Sequence, residues 1–407
     1  MAINIKCDAL FLCQFFYPEY NSSATLPWDT AKYLSEHGIK TAAMCGYPKE
    51  YNNAGKVPHT EDKDGVQIKR LRYLQLKRGK RISRLINYFS FTLSVLLHIG
   101  ELKHSKCVIV YSNPPVLPLA AVLANILYGT KIIFVSYDVY PEVAFASGSL
   151  SPDSLITKAM GRINNALFKR ASAIIALTEE MKSFLMERRQ VISNDQIAVI
   201  PNWAHESSRI QTPETYRKFN FSPADFIVSY FGNMGICQDV ETLLQAIEQL
   251  KDMDHIKFFI VGHGSKKDYV IEKTKHLKNV LIVDFLTGKD FEQAVSISSC
   301  GIVSLEKGLR GMCAPSKYYS YLQGGIPVIT ISEKESYLAQ EVVQEGIGKA
   351  INIGDSIGLS QAIIELSRDK VTSDRMSQRA HSLYENRYSM SRCLDQYVEL
   401  IEKTLES

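Results

Sequence analysis

Three observations predict an α/β protein built from two doubly wound domains. Apolar runs such as those at 9–13 and 107–111 carry no charged residue, and turn residues and a helical pattern follow them. A continuous apolar run is what a strand covered on both faces of a parallel sheet requires. Two blocks of this kind follow one another, and 407 residues fit two or three domains of about 150 residues each.

The same pattern predicts the order of the elements. Helical stretches between the strands include 28–37, which ends before Gly38, and 154–170. Strands are predicted at 9–13, 107–111, 132–135, 173–177 and 197–200, and again at 227–231, 257–261, 280–283, 301–305 and 326–329.

A polar segment at 206–225 separates the two blocks. We therefore predict an N-terminal domain at 1–205, a C-terminal domain at 206–385, and a helix at 386–407 that packs back on the N-terminal domain. Ligands of doubly wound sheets bind beyond the carboxyl ends of the strands, so we expect the site in the cleft between the domains.

Composition excludes several classes of protein. The chain is 45% hydrophobic and 22% charged, which rules out intrinsic disorder and a small disulfide scaffold. Its eight cysteines form no CxxC pair and its histidines no HExxH pattern, so we expect reduced thiols and no metal site. The net charge of +4 is small, and we expect no nucleic-acid partner. The N-terminus is too polar for a secretory signal, which makes the cytoplasm the expected location.

One segment, 69–99, departs from this balance. Residues 69–84 contain eight Lys or Arg and no acidic residue, and residues 85–99 carry no charge and have apolar side chains at helical spacing. A basic stretch that leads into an amphipathic helix is typical of a surface that lies on anionic lipid, at the inner face of the cell membrane. The alternative is a core helix after a solvated basic loop, and the pattern leaves both open.

Two stretches of the second block are candidate anion sites. Gly232, Asn233, Met234 and Gly235 follow a predicted strand and precede a helix that Asp239 can cap. Backbone N–H groups in such a turn can bind a phosphate, although many turns carry glycine for steric reasons only. Further along, Arg310 and Lys317 stand at or just before the N-terminus of a short helix that begins at Ser316; the alternative is that both are ordinary loop cations. Gly262-His263-Gly264 lacks the third glycine of a dinucleotide site.

Taken together, these stretches give the chain a resemblance to a known family. It resembles the GT-B-fold family 4 glycosyltransferases, in the branch near colanic-acid and capsular-polysaccharide transferases, over nearly its whole length. The residues that carry the resemblance are QFFYPE at 14–19, SNPP at 112–115, YDVYPE at 137–142, LTE at 177–179, IPNW at 200–203, GNMG at 232–235, PSK at 315–317 and GIPV at 325–328.

The resemblance implies two Rossmann-like domains and the transfer of a sugar, with retention, from a nucleotide donor that is usually a UDP-sugar. It implies no essential metal and no bound cofactor. The donor is expected on the C-terminal domain, with its diphosphate at Arg310, Lys317 and the 232–235 loop. The acceptor, which the resemblance implies is a lipid-linked polysaccharide precursor, is expected on the N-terminal domain. A same-fold alternative is a nucleotide-sugar 2-epimerase, and another is a degenerate subunit without catalytic activity.

The chain also departs from the family pattern. Asn233 and Gln238 stand where many members carry Arg and Lys, and Met312 and Ser320 stand where many carry two glutamates. We therefore assign the donor sugar and ribose to Ser316, Ser320 and Gln238.

The N-terminal domain supplies the other candidate site residues. Asp138 and Glu142 follow a strand end and are the catalytic candidates, with helix capping as the alternative role for Asp138. Ser22 and Ser23 form a small-residue acceptor loop after the first strand.

Overall fold

The computed structural model describes residues 6–49, 55–76, 81–189, 192–207 and 211–406. The chain divides into two compact units. The first contains the residues up to Pro201, then Gly311–Ala314, and then the C-terminal residues from Ser391. The second contains Asn202–Arg310 and Pro315–Met390. The division after Pro201 lies four residues before the predicted one, and the sequence pattern gave no indication that Gly311–Ala314 belongs to the first unit.

The first unit is built on a sheet that is parallel except at one edge. Its strand order is β3-β4-β2-β1-β5-β6-β7-β8, and only the β3–β4 pair is antiparallel within the described part of the sheet. The order reverses between β1 and β5, which pair in register from Cys7 with Ser105 to Leu12 with Val110. The strands in chain order are β1 (Cys7–Leu12), β2 (Thr41–Gly46), β3 (Thr60–Lys63), β4 (Val66–Leu71), β5 (Ser105–Tyr111), β6 (Lys131–Ser136), β7 (Ala173–Ala176) and β8 (Ile197–Val199).

Helices cover this sheet, and its central strands are buried as their apolar runs predict. All six residues of β2 are buried, as are the four residues of β7. The helices in chain order are α1 (Ser22–Glu36), α2 (Arg81–Leu97), α3 (Pro118–Tyr128), α4 (Glu142–Ala146), α5 (Leu155–Arg170) and α6 (Glu179–Arg188).

The sheet of the second unit is parallel throughout its described strands, in the order β11-β10-β9-β12-β13-β14. The strands are β9 (Phe226–Asn233), β10 (Ile256–His263), β11 (Val280–Val283), β12 (Cys300–Ser304), β13 (Val328–Ile331) and β14 (Gly348–Ile351). The helices are α7 (Pro213–Lys218), α8 (Glu241–Gln249), α9 (Lys267–Thr274), α10 (Gly288–Ser296), α11 (Lys317–Gln323), α12 (Tyr337–Gln344), α13 (Ser356–Arg368) and α14 (Lys370–Leu383).

The last helix, α15 (Met390–Glu406), follows a π-helical turn at Tyr384–Tyr388. From Ser391 onward its residues belong to the first unit. Tyr33 of α1 donates a hydrogen bond of 2.6 Å to Asp395, and Lys131 of β6 donates one of 2.8 Å to the carbonyl oxygen of Thr404. These contacts tie the C-terminal helix to α1 and β6.

The beginning of the basic segment differs from both predicted alternatives. Lys69 and Arg70 lie in β4 and are buried, so they belong neither to a lipid-facing surface nor to a solvated loop. Lys69 pairs with Glu101 at 2.5 Å, and Arg70 pairs with Glu61 at 2.7 Å. Burying both cations is possible because each has a carboxylate partner. Residues 77–80 lie outside the described part of the chain.

Candidate active site

The buried ammonium group of Lys317 is the main binding feature of the second unit. Lys317 is the first residue of α11, and its Nζ atom lies 3.5 Å from the centroid of the Tyr230 ring. This nitrogen is buried and has no hydrogen-bond partner among the described residues. Burial lowers the pKa of Lys317 to about 7, because the charged form loses its hydration. An ammonium group in this setting is suited to pairing with an anionic ligand.

Gly232 lies beside this lysine. A Cβ atom at Gly232 would stand 3.6 Å from the Cε atom of Lys317, so the structure brings these two predicted phosphate ligands together. Gly232 and Asn233 are the last two residues of β9, not loop residues. The hydroxyl group of Tyr230 donates a hydrogen bond of 2.9 Å to the carbonyl oxygen of Asn233, which fixes the strand end next to the ammonium group.

The N–H groups expected to be free in the next two residues are used within the protein. The N–H group of Met234 donates to the carbonyl oxygen of His263 at 2.6 Å. The N–H group of Gly235 donates to Oε1 of Gln238 at 3.0 Å. The prediction of free N–H groups at Met234 and Gly235 is therefore wrong for this structure, because the loop satisfies its own backbone.

The glycines of Gly262-His263-Gly264 allow β10 to approach this loop closely. A Cβ atom at Gly262 would lie 1.8 Å from the carbonyl oxygen of Gly232, and one at Gly264 would lie 2.4 Å from that of Met234. Both have positive φ angles, 153° and 139°, which only glycine adopts readily. The glycine pair that does not form a dinucleotide site therefore supports residues 232–235 at the end of β9.

Lys266 is a residue of this region that the sequence analysis did not single out. Its Nζ atom donates to the carbonyl oxygen of Gln238 at 2.7 Å and pairs with Glu306 at 2.8 Å. The N–H group of Glu306 in turn donates to the carbonyl oxygen of Cys237 at 2.9 Å. The backbone carbonyl oxygen and the side-chain Oε1 atom of Gln238 both accept hydrogen bonds within this region. The side-chain nitrogen Nε2 is left for the predicted contact with the donor sugar. Its position two residues after Gly264 is the sequence feature that could have indicated that Lys266 belongs to this region.

The remaining predicted residues of the second unit lie near α11 in the chain. Arg310 is exposed on a turn and ends the first stretch of this unit. Ser316 is exposed and precedes α11 without a side-chain cap, so the helix begins at Lys317 and not at Ser316. Ser320 lies within α11 and is half-buried, and its carbonyl oxygen accepts a hydrogen bond from the N–H group of Gly324.

In the first unit, Asp138 follows the end of β6. Its N–H group donates to the hydroxyl oxygen of Ser112 at 3.0 Å, and no described residue donates a hydrogen bond to its half-buried carboxyl group. Burial raises the pKa of Asp138 to about 6. The capping alternative is wrong, because α4 begins at Glu142 with no side-chain cap. A carboxyl group with a pKa near neutrality is suited to acid–base chemistry.

The segment Gly311–Ala314 pairs with the backbone around Asp138. Asp138 and Cys313 form an antiparallel bridge, and the N–H group of Val139 donates to the carbonyl oxygen of Met312 at 2.8 Å. The N–H group of Gly311 donates to Glu180 at 3.1 Å. The side chains of Met312 and Ala314 pack against the core of the first unit. At Met312, where many family members carry a glutamate, this chain therefore places an apolar packing residue.

Glu142 lies in an ion pair. Its two carboxylate oxygens accept hydrogen bonds of 2.6 and 2.7 Å from Arg189, and the side chains are 14% and 8% exposed. The same guanidinium group donates to the carbonyl oxygen of Tyr140 at 3.2 Å. A bidentate pair that occupies both oxygens favours a structural role for Glu142, so its predicted catalytic role lacks support from the geometry.

Ser22 and Ser23 are not loop residues. They form the first turn of α1, whose N-cap residue is Asn21, so the predicted acceptor loop is wrong in its conformation. Within the described ranges there is no group of three or more His, Cys, Asp or Glu side chains that could hold a metal ion.

The chain matches two known family models, one in each half of its sequence. Residues 26–203 match the model described as "Glycosyl transferase 4-like domain", and residues 211–383 match "Glycosyl transferases group 1". The chain belongs to the family 4 glycosyltransferases. Lys317 and residues 232–235 lie in the group 1 match, and Asp138 and Glu142 lie in the 4-like match.

The glycosyltransferase is similar in sequence to one protein of Pseudomonas aeruginosa. It is 24% identical over 296 residues to the probable glycosyltransferase WbjE of Pseudomonas aeruginosa, and the aligned region covers 72% of each chain.

Solved structures share the fold of this glycosyltransferase. Sucrose-phosphate synthase from Thermosynechococcus elongatus aligns with a TM-score of 0.76 at 12% identity, over 97% of this chain and 98% of its own. HepE from Anabaena, solved in complex with UDP-glucose, aligns with a TM-score of 0.73 at 14% identity, over 97% and 99% of the two chains. The predicted GT-B fold of two Rossmann-like domains with parallel sheets is therefore confirmed.

Proposed function

We propose that this glycosyltransferase moves a hexosyl or N-acetylhexosaminyl group from a UDP-sugar to a lipid-linked precursor of a surface polysaccharide, with retention and without a metal. The unpartnered ammonium group of Lys317 carries the proposal. It is a buried cation beside Gly232 with no hydrogen-bond partner among the described residues, and a nucleotide diphosphate supplies an anion to pair with it. The related fold of HepE, solved with UDP-glucose, supports this class of donor.

In the proposed reaction the bond between the anomeric carbon and the diphosphate oxygen breaks. The oxygen of an acceptor hydroxyl group forms the new bond on the same face, and its proton passes to a base. Negative charge accumulates on the departing diphosphate, and Lys317 stabilises it in place of a metal. Asp138, whose pKa of about 6 leaves it ionised at neutral pH, accepts the proton.

A calorimetric titration with UDP-sugars tests the donor site. We expect Lys317→Ala to weaken donor binding at least tenfold, because a desolvated charge-assisted contact is worth about 1.5–3 kcal/mol. The matched control is Lys278→Ala, which removes an exposed lysine of the same unit. Equal affinity in the wild type and Lys317→Ala would contradict the assignment. Interconversion of UDP-sugars without an acceptor would indicate an epimerase instead.

The lipid-linked acceptor is supported by an exposed apolar stripe on α2. Its side chains are 36% to 78% exposed and recur at helical spacing on one face: Ile82, Ile86, Phe89, Leu93 and Leu97. Leu74 and Leu76 extend the stripe, because Asn87 of α2 holds the backbone of Leu76 with two hydrogen bonds of 2.9 Å. Contiguous apolar surface of this kind on a monomer indicates a membrane or a partner.

Positive charge accompanies the stripe. Arg72 is exposed and Arg84 is half-buried. Among the described residues no helix has the length and apolarity to cross a bilayer. We propose that the amphipathic α2 lies on the membrane surface. We expect the protein to bind vesicles that contain anionic lipid.

A vesicle sedimentation assay tests this contact. Replacing Phe89 and Leu93 by Gln is expected to release the protein from anionic vesicles, because it removes the apolar contact area. Val371→Gln is the control, since Val371 is 70% exposed and lies in the second unit. Unchanged binding of the double variant would exclude the stripe as the membrane contact.

A further inference from the structure

A small cavity lies next to Asp138 in the first unit. The volume of the cavity that is open to the centre of a water molecule is about 10 Å³. One bound water molecule needs a volume of roughly this size. Most of its wall is apolar, with Phe134, Phe168 and Leu185 among the lining side chains. Polar groups reach it from Ser112, Ser136 and Asp138, among others.

Ser136 is the unusual member of this wall. It is the last residue of β6 and is 1% exposed, and its hydroxyl oxygen has no hydrogen-bond partner in the described chain. Asp138 stands two residues later and lines the same cavity, and no described residue donates to its carboxyl group. An unpartnered buried polar group costs free energy that a protein rarely leaves uncompensated.

Ser112 provides a third polar group. Its hydroxyl oxygen accepts the N–H groups of Tyr137 and Asp138, both at 3.0 Å. Its own hydroxyl proton is not used in either bond, so it is available to a neighbour in the cavity. Asn164, by contrast, already donates to the carbonyl oxygen of Tyr140.

We propose that one ordered water molecule occupies this cavity and links Ser112 and Ser136 to the carboxyl group of Asp138. The water accepts hydrogen bonds from the two hydroxyl groups and donates one to the carboxylate. Three bonds are the usual number for a buried water, and a cavity with these three polar groups is unlike the dry, purely apolar kind. Ser136 then acts on Asp138 through the water and is a positioning residue.

The water also governs how readily Asp138 ionises. A donated hydrogen bond stabilises the charged carboxylate and opposes the effect of burial. The other titratable groups nearby are Tyr137, whose pKa burial raises well above its usual value, Tyr140, Cys313 and the paired Glu142 and Arg189. The water is therefore the group that keeps Asp138 available as the base, a consequence that rests on the proposed function.

A crystal structure with ordered solvent tests the water directly and needs no activity. We expect density within hydrogen-bond distance of Ser136 and Asp138 in the wild type, and its loss in Ser136→Ala. A dry cavity in the wild type would overturn the proposal, whether or not the protein transfers sugar.

The pH profile of kcat/KM tests the positioning role. We expect Ser136→Ala to move the acid limb upward by about half to one pH unit, because the carboxylate loses the water that stabilises it. Thr330→Val is the control, since it removes an equally unpartnered buried hydroxyl group in the second unit. Density lost without any shift of the acid limb would overturn the positioning role and leave the water site standing.

Discussion

The Lys317 ammonium nitrogen lies 3.5 Å from the centroid of the Tyr230 ring. No carboxylate lies within hydrogen-bond distance of that nitrogen in the described chain. A ring face attracts a cation by about 0.5–2 kcal/mol, less than a buried carboxylate does. A diphosphate can therefore pair with the ammonium group without first displacing a carboxylate. The aromatic ring holds the charge in place and leaves it available to the ligand.

Donor binding is expected to take up a proton. With a pKa of about 7, Lys317 is mostly neutral at pH 8, and an adjacent diphosphate restores its charge. A UDP-sugar should therefore bind with an uptake of roughly 0.9 proton at pH 8 and roughly 0.1 at pH 6. Calorimetry in buffers of different ionisation enthalpy measures this number. Lys317→Met should abolish the uptake, and donor binding by the wild type without uptake at pH 8 would refute the prediction.

The burial of Asp138 should appear in the pH dependence of stability. Its folded pKa of about 6 lies above the usual value near 4, so the folded state binds a proton more tightly than the unfolded state. The wild type therefore loses stability as the pH rises from 4 to 6. Asp138→Asn should match the wild type near pH 4 and exceed it by about 2–3 kcal/mol above pH 6. Urea unfolding at several pH values tests this, and a constant difference would contradict it.

Gly262→Ala is expected to destabilise the second unit by more than about 2 kcal/mol and to weaken donor binding. The new Cβ atom would collide with the carbonyl oxygen of Gly232, so the strand end beside Lys317 must move. Gly161→Ala is the control, because its Cβ atom meets nothing within 4 Å inside α5. That variant should gain about 0.5–1 kcal/mol. Similar thermal unfolding of the two variants would disprove the close approach.

Glu142 and Arg189 are expected to act as a structural pair. Arg189→Met should cost about 3 kcal/mol, since it leaves a mostly buried carboxylate unpaired. The double variant with Glu142→Gln should be more stable than Arg189→Met alone. The kcat of Glu142→Gln, measured where it is folded, should stay within a fewfold of the wild type. A loss of a thousandfold or more would restore the catalytic role predicted from the sequence.

Continuous apolar runs made the central strands predictable, because burial on both faces leaves no polar position to obscure them. The run at 227–231 lies within β9, and that at 301–305 overlaps β12, whose five residues are all buried. The sequence analysis did not predict β2 because Thr41–Gly46 consists mostly of small residues. It did not predict β4 because Val66–Leu71 contains charged residues. The charges of β4 are compatible with burial only because Glu61 and Glu101 meet them, and a periodicity does not show such distant partners.

The candidate site, like the fold, was predictable from the sequence only in part. Lys317 was predictable as a binding cation from its place at the start of a short helix, but its burial depends on Tyr230, 87 positions earlier in the chain. The use of the Met234 and Gly235 N–H groups depends on His263 and Gln238, and the cavity at Ser136 depends on three helices packing against one strand end. Local pattern identified the residue types, whereas tertiary packing decided their environment.

The assignment of Gly311–Ala314 to the first unit means that neither unit is an uninterrupted stretch of chain. A fragment cut after Pro201 would lack both this four-residue segment and the helix from Ser391. The complementary fragment would carry Met312 and Ala314 without the core they pack against. Gene fusion or exchange of halves between relatives therefore has no single clean junction in this protein, and grafts must carry three pieces of sequence together.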